Sequence, residues 1–281
     1  MDGRLLAVLA LVVLAGCGGA PAPTTPEATV TPAPLPTDDG DELAPGLTGD
    51  GVTEPGTLAR AHVARLADRS YTLAVNRTVR YPNGTLRERL GLNLSLGANR
   101  SYLVHTGTEG PRAPVFLGIP PARAAFWSNG SAYTRRLTRD GTTTYTSFRP
   151  TDGAGTWQYW ARTVPYGGRG GNPRGFLTRA FSAVPTRTTA RVSDGGTAAY
   201  RVVGDGATER IELDVNDPRE VDLRATVTAA GLVRSLSLSY VGTVEGERVV
   251  VERSYRYERV GNTTVERPGW VDRALGQEEG D

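Results

Sequence analysis

The chain has 281 residues and a formal net charge of +2. Its 32 basic residues are all arginine and lie scattered, so nothing favours a nucleic-acid surface. Cys17 is the single cysteine, which excludes an internal disulfide and a thiolate metal cluster.

Arg4 precedes an apolar run over residues 5–15. At about 11 residues the run is too short to cross a bilayer core of about 30 Å, and it fits the h-region of a signal peptide. Leu14-Ala15-Gly16-Cys17 closes it with the lipobox of a secreted lipoprotein. The spacing predicts a signal peptide over 1–16, cut before Cys17, whose thiol then carries a lipid on the outer face of the cell membrane. A buried cysteine after an uncleaved helix is the competing reading. Residues 17–45 read as a tether. Pro21, Pro23, Pro26, Pro32, Pro34 and Pro36 favour an extended chain of about 3 Å per residue, and the composition is too poor in apolar residues to fold. The acidic run Asp38-Asp39-Gly40-Asp41-Glu42 lacks the alternate-oxygen spacing of a calcium loop.

Residues 46–281 are expected to form one β-rich extracytoplasmic domain. A helix is predicted over 56–68, with Thr57 as N-cap and Ala59, His62, Val63 and Leu66 on one face. His62 reads as a packed histidine. The period then changes to two. Tyr71, Leu73, Val75, Val79 and Tyr81 share one face of a strand, and Pro82-Asn83-Gly84-Thr85 is a hairpin turn. Leu86, Leu90, Leu92, Leu94 and Leu96 share a face of the next strand, with Arg87, Arg89, Asn93 and Ser95 opposite. Short strands are predicted near 101–106, 114–118, 124–128 and 131–137. Alternation resumes in Ile211, Leu213 and Val215, in Val221, Leu223, Ala225 and Val227, in Leu236, Leu238 and Tyr240, and in Val249, Val251, Tyr255 and Tyr257. Short turns at Ala230-Gly231 and Glu245-Gly246 make neighbouring strands antiparallel.

The middle breaks the alternation. Trp157, Tyr159, Trp160 and Tyr166 precede Gly167-Gly168-Arg169-Gly170-Gly171, and a helix is expected from about 174 to 184, with Phe176, Leu177, Ala180 and Phe181 as its apolar side. The glycine run lacks the Gly-Lys-Ser/Thr of a phosphate loop. A lid carrying aromatics over a cavity and a plain long loop both remain open. The fold class predicted is mainly β (α+β): a curved antiparallel sheet or half-barrel of roughly ten to twelve strands, its apolar face covered by one N-terminal and one central helix.

Asn-x-Ser/Thr occurs at Asn76, Asn83, Asn93, Asn99, Asn129 and Asn262. Eight asparagines should give about one such triplet by chance, so the excess points to N-glycosylation at several of them. The alternative is that Asn, Gly and Thr simply favour turns, as at Asn83-Gly84 and Asn129-Gly130.

The order of lipobox, Pro/Thr tether, helix and antiparallel strands around a central helix resembles the haloarchaeal surface lipoproteins of uncharacterised function. Residues carrying the resemblance are Leu14-Ala15-Gly16-Cys17, the helix-to-strand entry over 58–71, and Phe126-Trp127-Ser128-Asn129-Gly130. Gly231-Leu232-Val233-Arg234 and Pro268-Gly269-Trp270 continue it. More distantly, the architecture is similar to Lol-type and mycobacterial lipoprotein carriers, which implies a curved half-barrel holding acyl chains.

No Gly-x-Ser-x-Gly elbow occurs, and His62 and His105 are too far apart in sequence to suggest a zinc site. The expectation is a non-enzymatic binding protein with no cofactor and no metal, anchored to the membrane by its lipid. A lipid or other apolar ligand would lie against Leu90, Leu92, Leu94, Leu223, Val227, Leu236 and Leu238, with Trp127, Trp157 and Trp160 at the mouth. The alternative is a structural or interaction lipoprotein with a solid core, whose partners are envelope proteins.

Overall fold

The computed structural model describes residues 41–148, 156, 160–161, 173–206 and 213–276. Cys17, the signal, the tether up to residue 40, Trp157, the glycine run at 167–171 and Ile211 lie outside them, and the last five residues predicted as tether, 41–45, are described. Packing begins before the glycine at position 46: Leu43 and Ala44 are already in the core.

A two-residue ribbon, β1 (Leu47–Thr48) and β2 (Gly51–Val52), leads into helix α1 (Pro55–Leu66). Pro55 occupies the first helical turn, where its missing N–H costs nothing. Glu54, not Thr57, stands at the N-cap; Thr57 is inside the helix and donates its hydroxyl to Glu54 Oε2 at 2.7 Å. Leu58, Ala59, His62 and Leu66 are buried, whereas Val63, predicted on that stripe, is exposed.

Six strands follow as a meander: β3 (Tyr71–Arg80), β4 (Leu86–Leu96), β5 (Tyr102–Glu109), β6 (Ala122–Ser128), β7 (Tyr133–Arg139) and β8 (Thr142–Phe148). After helix α2 (Pro173–Ser182) a second meander runs through β9 (Thr186–Asp194), β10 (Thr197–Gly206), β11 (Asn216–Thr228), β12 (Val233–Val244) and β13 (Glu247–Glu258). Strand β13 returns to pair with β3, so the spatial order is β8-β7-β6-β5-β4-β3-β13-β12-β11-β10-β9. All pairs are antiparallel, and the curved sheet is open, with β8 and β9 at its edges. A short third helix, α3 (Val271–Leu275), which the sequence pattern does not announce, packs against β7 and β8.

The turns explain the connectivity. Asp140-Gly141, Gly195-Gly196 and Glu245-Gly246 all have positive φ at both positions, the backbone that two-residue hairpins require. Over their described residues, two predicted strands do not form. Residues 114–118 form a loop with one isolated bridge, and residues 213–215 form a connector ahead of β11 rather than a strand. Pro111, Pro114, Pro120 and Pro121 withhold ladder donors around the first.

The apolar positions of both meanders point to one face, here called inner. Helices α1 and α2 pack on each other across it, and Phe176, Leu177, Ala180 and Phe181 of α2 are buried there as their spacing predicts. Two residues of β4 depart from the predicted alternation. The register pairs Val79 with Glu88 but Arg80 with Leu86. The extra residue at this bulge, Arg87, buries its side chain, and Leu86 lines a groove on the outer face.

Candidate functional site

The inner face is built from every second residue of its strands. Leu92 and Leu94 on β4, Leu223 and Val227 on β11, and Leu236 and Leu238 on β12 are all at most 2% exposed and belong to one contiguous core. Leu90 is buried too, but it stands outside that core, paired with Arg77. The predicted wall residues are thus brought together, and α1, α2 and their own neighbours cover them. Each such side chain contributes about 1.5–3 kcal/mol by its burial.

The three tryptophans divide. Trp160 is fully buried, packed near Tyr102 with ring centroids 6.4 Å apart, so it is part of the core and not of a mouth. Trp127 points the other way. Its neighbour Phe126 joins the core, and strand alternation sends Trp127 to the outer face. There the C-terminal segment covers it, with the Arg267 guanidinium 5.6 Å from its ring. Its predicted place at the mouth is therefore corrected. Trp157 is not among the described residues.

What sequence periodicity did not reveal is a charged cluster set into the apolar face. Arg77 lies between Val75 and Val79, and Arg253 between Val251 and Tyr255, each on the inward parity of its strand. Both converge on Asp214, carried by the connector before β11. Arg77 Nε donates to Asp214 Oδ2 at 3.0 Å and Arg253 Nη2 to the same oxygen at 2.8 Å. The Tyr240 hydroxyl donates to Oδ1, and Arg77 also pairs with Glu88. Arg253 is 7% exposed, its guanidinium 5.1 Å from the Phe176 ring of α2. Burial pushes the Asp214 carboxyl up, but Arg253, Arg77 and the Tyr240 hydroxyl outweigh it and hold its pKa down at about 2. Burial, reinforced by Asp214, raises the Tyr240 hydroxyl well above its usual range. The connector is keyed in beside this cluster. A Cβ at Gly242 would collide with the Val215 side chain, so the glycine makes the space that Val215 fills.

His62 is fully buried on α1. Its Nδ1 accepts a hydrogen bond from Val233 N at 3.2 Å, and its ring meets Tyr257 edge-on at 4.9 Å. Burial lowers its pKa to about 4, so it is a neutral core histidine, as its position on the helix stripe predicts. Among the described residues no three His, Cys, Asp or Glu side chains gather to hold a metal. No helix among them is long and apolar enough to cross a membrane.

The outer face is polar. All six sequon asparagines are exposed: Asn76 and Asn93 within β3 and β4, Asn83, Asn99 and Asn129 in turns, and Asn262 after β13. A groove of 1060 Å³ crosses β4 to β7 on this face. Gly91 and Gly107, directly paired, form its floor with Ala125. Arg89, Asn93, His105, Arg123 and Arg136 stand around it.

No curated protein matches the chain in sequence. Among solved structures it is similar to LprF from Mycobacterium bovis, at 10% identity over 76% of this chain and 96% of that one, with a TM-score of 0.36. It is also similar to a DUF1329 family protein from Desulfovibrio piger, at 6% identity over 77% and 94% of the two chains, TM-score 0.25. A LolA superfamily protein from Nitrosomonas europaea gives 9% identity, 74% and 93% coverage and a TM-score of 0.23. Likeness at this level says nothing of what this chain binds. Over residues 4–274, nearly its whole length, the sequence matches the family of unknown function DUF7537, and the chain belongs to that family.

Proposed function

We propose that this protein is a cell-surface lipoprotein, held to the outer face of the membrane by a lipid on Cys17, whose β domain binds a lipid or other apolar ligand without catalysing a reaction. The observation that carries the reading is the open sheet itself. Its apolar inner face spans both meanders and, among the described residues, is covered by two short helices, the small β1–β2 ribbon and connecting segments, not by a second large sheet. An acyl chain replacing α2 there would be held by burial, at about 25 cal/mol per Å² of apolar area. Arg77, Arg253 and Tyr240 supply the few polar contacts that would orient its head.

A titration with cis-parinaric acid, which fluoresces when its polyene chain leaves water, tests this on the mature protein. Saturable emission at near-stoichiometric ratios supports the carrier. Emission no higher than with a protein-free detergent blank contradicts it. The second reading, a solid-core interaction lipoprotein, has its own support: the wall leucines are already covered by the chain. A flat titration would favour that reading.

A further inference from the structure

We propose that the groove across β4–β7 on the outer face binds an acidic oligosaccharide, independently of any ligand on the inner face. Its shape comes from the missing side chains of Gly91 and Gly107 on adjacent strands, which sink the floor between two rows of longer residues. On one side stand Arg89 and Glu109, an exposed ion pair with Arg89 Nη1 and Glu109 Oε2 3.0 Å apart. On the other stand Asn93 and His105, paired across β4 and β5. Arg123 and Arg136 close the far end. Arg123 is exposed, and its side chain makes no ion pair or hydrogen bond among the described residues. The wall therefore carries three arginines against one glutamate, a surplus of positive charge facing open solvent. Burial and the nearby Arg136 charge both lower the His105 pKa, which agrees with a positive potential there.

The dimensions favour an extended ligand. Four strands spaced about 4.8 Å apart give a groove about 15 Å long, too open to enclose a small molecule. Trp270, half-buried, lies at the Arg136 end, with that guanidinium 5.7 Å from its ring and Tyr145 6.5 Å away. That ring braces Arg136 at the end of the groove, and the Arg, Asn and His side chains serve the hydroxyls and carboxylates of a sugar. An acidic peptide fits less well. It would gain most from main-chain pairing at a strand edge, and here the groove runs over interior strands whose ladders are complete.

The test uses the full chain in mild detergent, made in a host without N-glycosylation so that Asn93 is bare. Fluorescence anisotropy is followed with a fluorescein-labelled polygalacturonic acid oligomer. A labelled maltooligosaccharide is the neutral control and a polyglutamate peptide the acidic one. The acidic sugar should bind, more weakly as salt rises, and neither control should match it. The double variant Arg123→Gln/Arg136→Gln should weaken binding by at least about tenfold. Gly91→Gln fills the floor and leaves charge unchanged; its Cβ meets nothing closer than 3.6 Å, so it folds, and it should lose binding comparably. Arg201→Gln/Arg224→Gln removes the same charge from the other half of the outer face and should change nothing. Absence of binding, equal binding of polyglutamate, or an equal loss in the Arg201/Arg224 control would overturn the proposal.

Discussion

Asp214→Asn keeps the shape of the side chain at the centre of the inner-face cluster and removes its charge. The carboxyl is held at about 2, against 3.8 for a free aspartate. At about 1.4 kcal/mol per pKa unit this is ~2.5 kcal/mol of favourable interaction. The side chains concerned are 7–19% exposed, so solvent screening reduces it little. Arg253 loses its acidic partner in the variant, and stranding a buried charge costs about 3–5 kcal/mol in comparable pairs. The expected loss at neutral pH is therefore ~2–4 kcal/mol, or about 5–15 °C in Tm. As pH falls the unfolded chain takes up the proton first, because its carboxyl has the higher pKa. The contribution is thus complete above about pH 4 and disappears as pH approaches 2. Urea unfolding followed by circular dichroism at several pH values reads both effects. Wild type should lose stability between pH 4 and 2 more steeply than the variant. A loss under about 0.5 kcal/mol at pH 7, with parallel acid slopes, would show that the cluster does not hold the connector.

Gly242→Val should cost about 1–3 kcal/mol by overpacking against Val215, read in the same unfolding assay; an unchanged midpoint would mean that the connector does not pack there. His62, with its pKa lowered from 6.5 to about 4, stays neutral in the folded chain while the unfolded chain protonates. Stability should then fall by up to ~3 kcal/mol as pH drops from about 6.5 to 4. His105 adds to the same slope, so the readout is the difference from His62→Gln, which should be flatter; equal slopes would contradict the assignment. Cys17→Ser should release the protein into the medium or leave the signal uncut. Unchanged membrane retention of a mature-sized protein would remove the lipobox from the account. Removing N-glycans enzymatically from native protein should lower its mass in several steps, and a single unchanged mass would mean that the exposed sequons are unused.

The alternation of Leu92 with Leu94, of Leu223 with Val227, and of Leu236 with Leu238 was legible because period-two burial is written locally in each strand. The apolar face of α2 was equally plain. Strands β8 to β10 were not, since runs such as Thr142–Phe148 are mostly threonine at an edge, where burial leaves little trace. The bulge at Arg87 reversed two side chains without any glycine or proline to mark it. Arg77 and Arg253 did leave a signal, an arginine at an inward position in an otherwise apolar row. Their partner Asp214 comes from a connector, and only the fold brings it to them. Trp127 was misplaced because apolar bulk alone does not say which face is the core; the C-terminal segment that shelters it lies more than a hundred residues away in sequence.

In the proposed function, the inner face of the open sheet holds an apolar ligand. Native mass spectrometry of the mature protein, extracted gently from its own membrane, tests it most directly. The expected result is an additional mass that leaves on denaturation and proves to be a lipid. A polypeptide carrying only its anchor and glycans, with no dissociable mass, would contradict it.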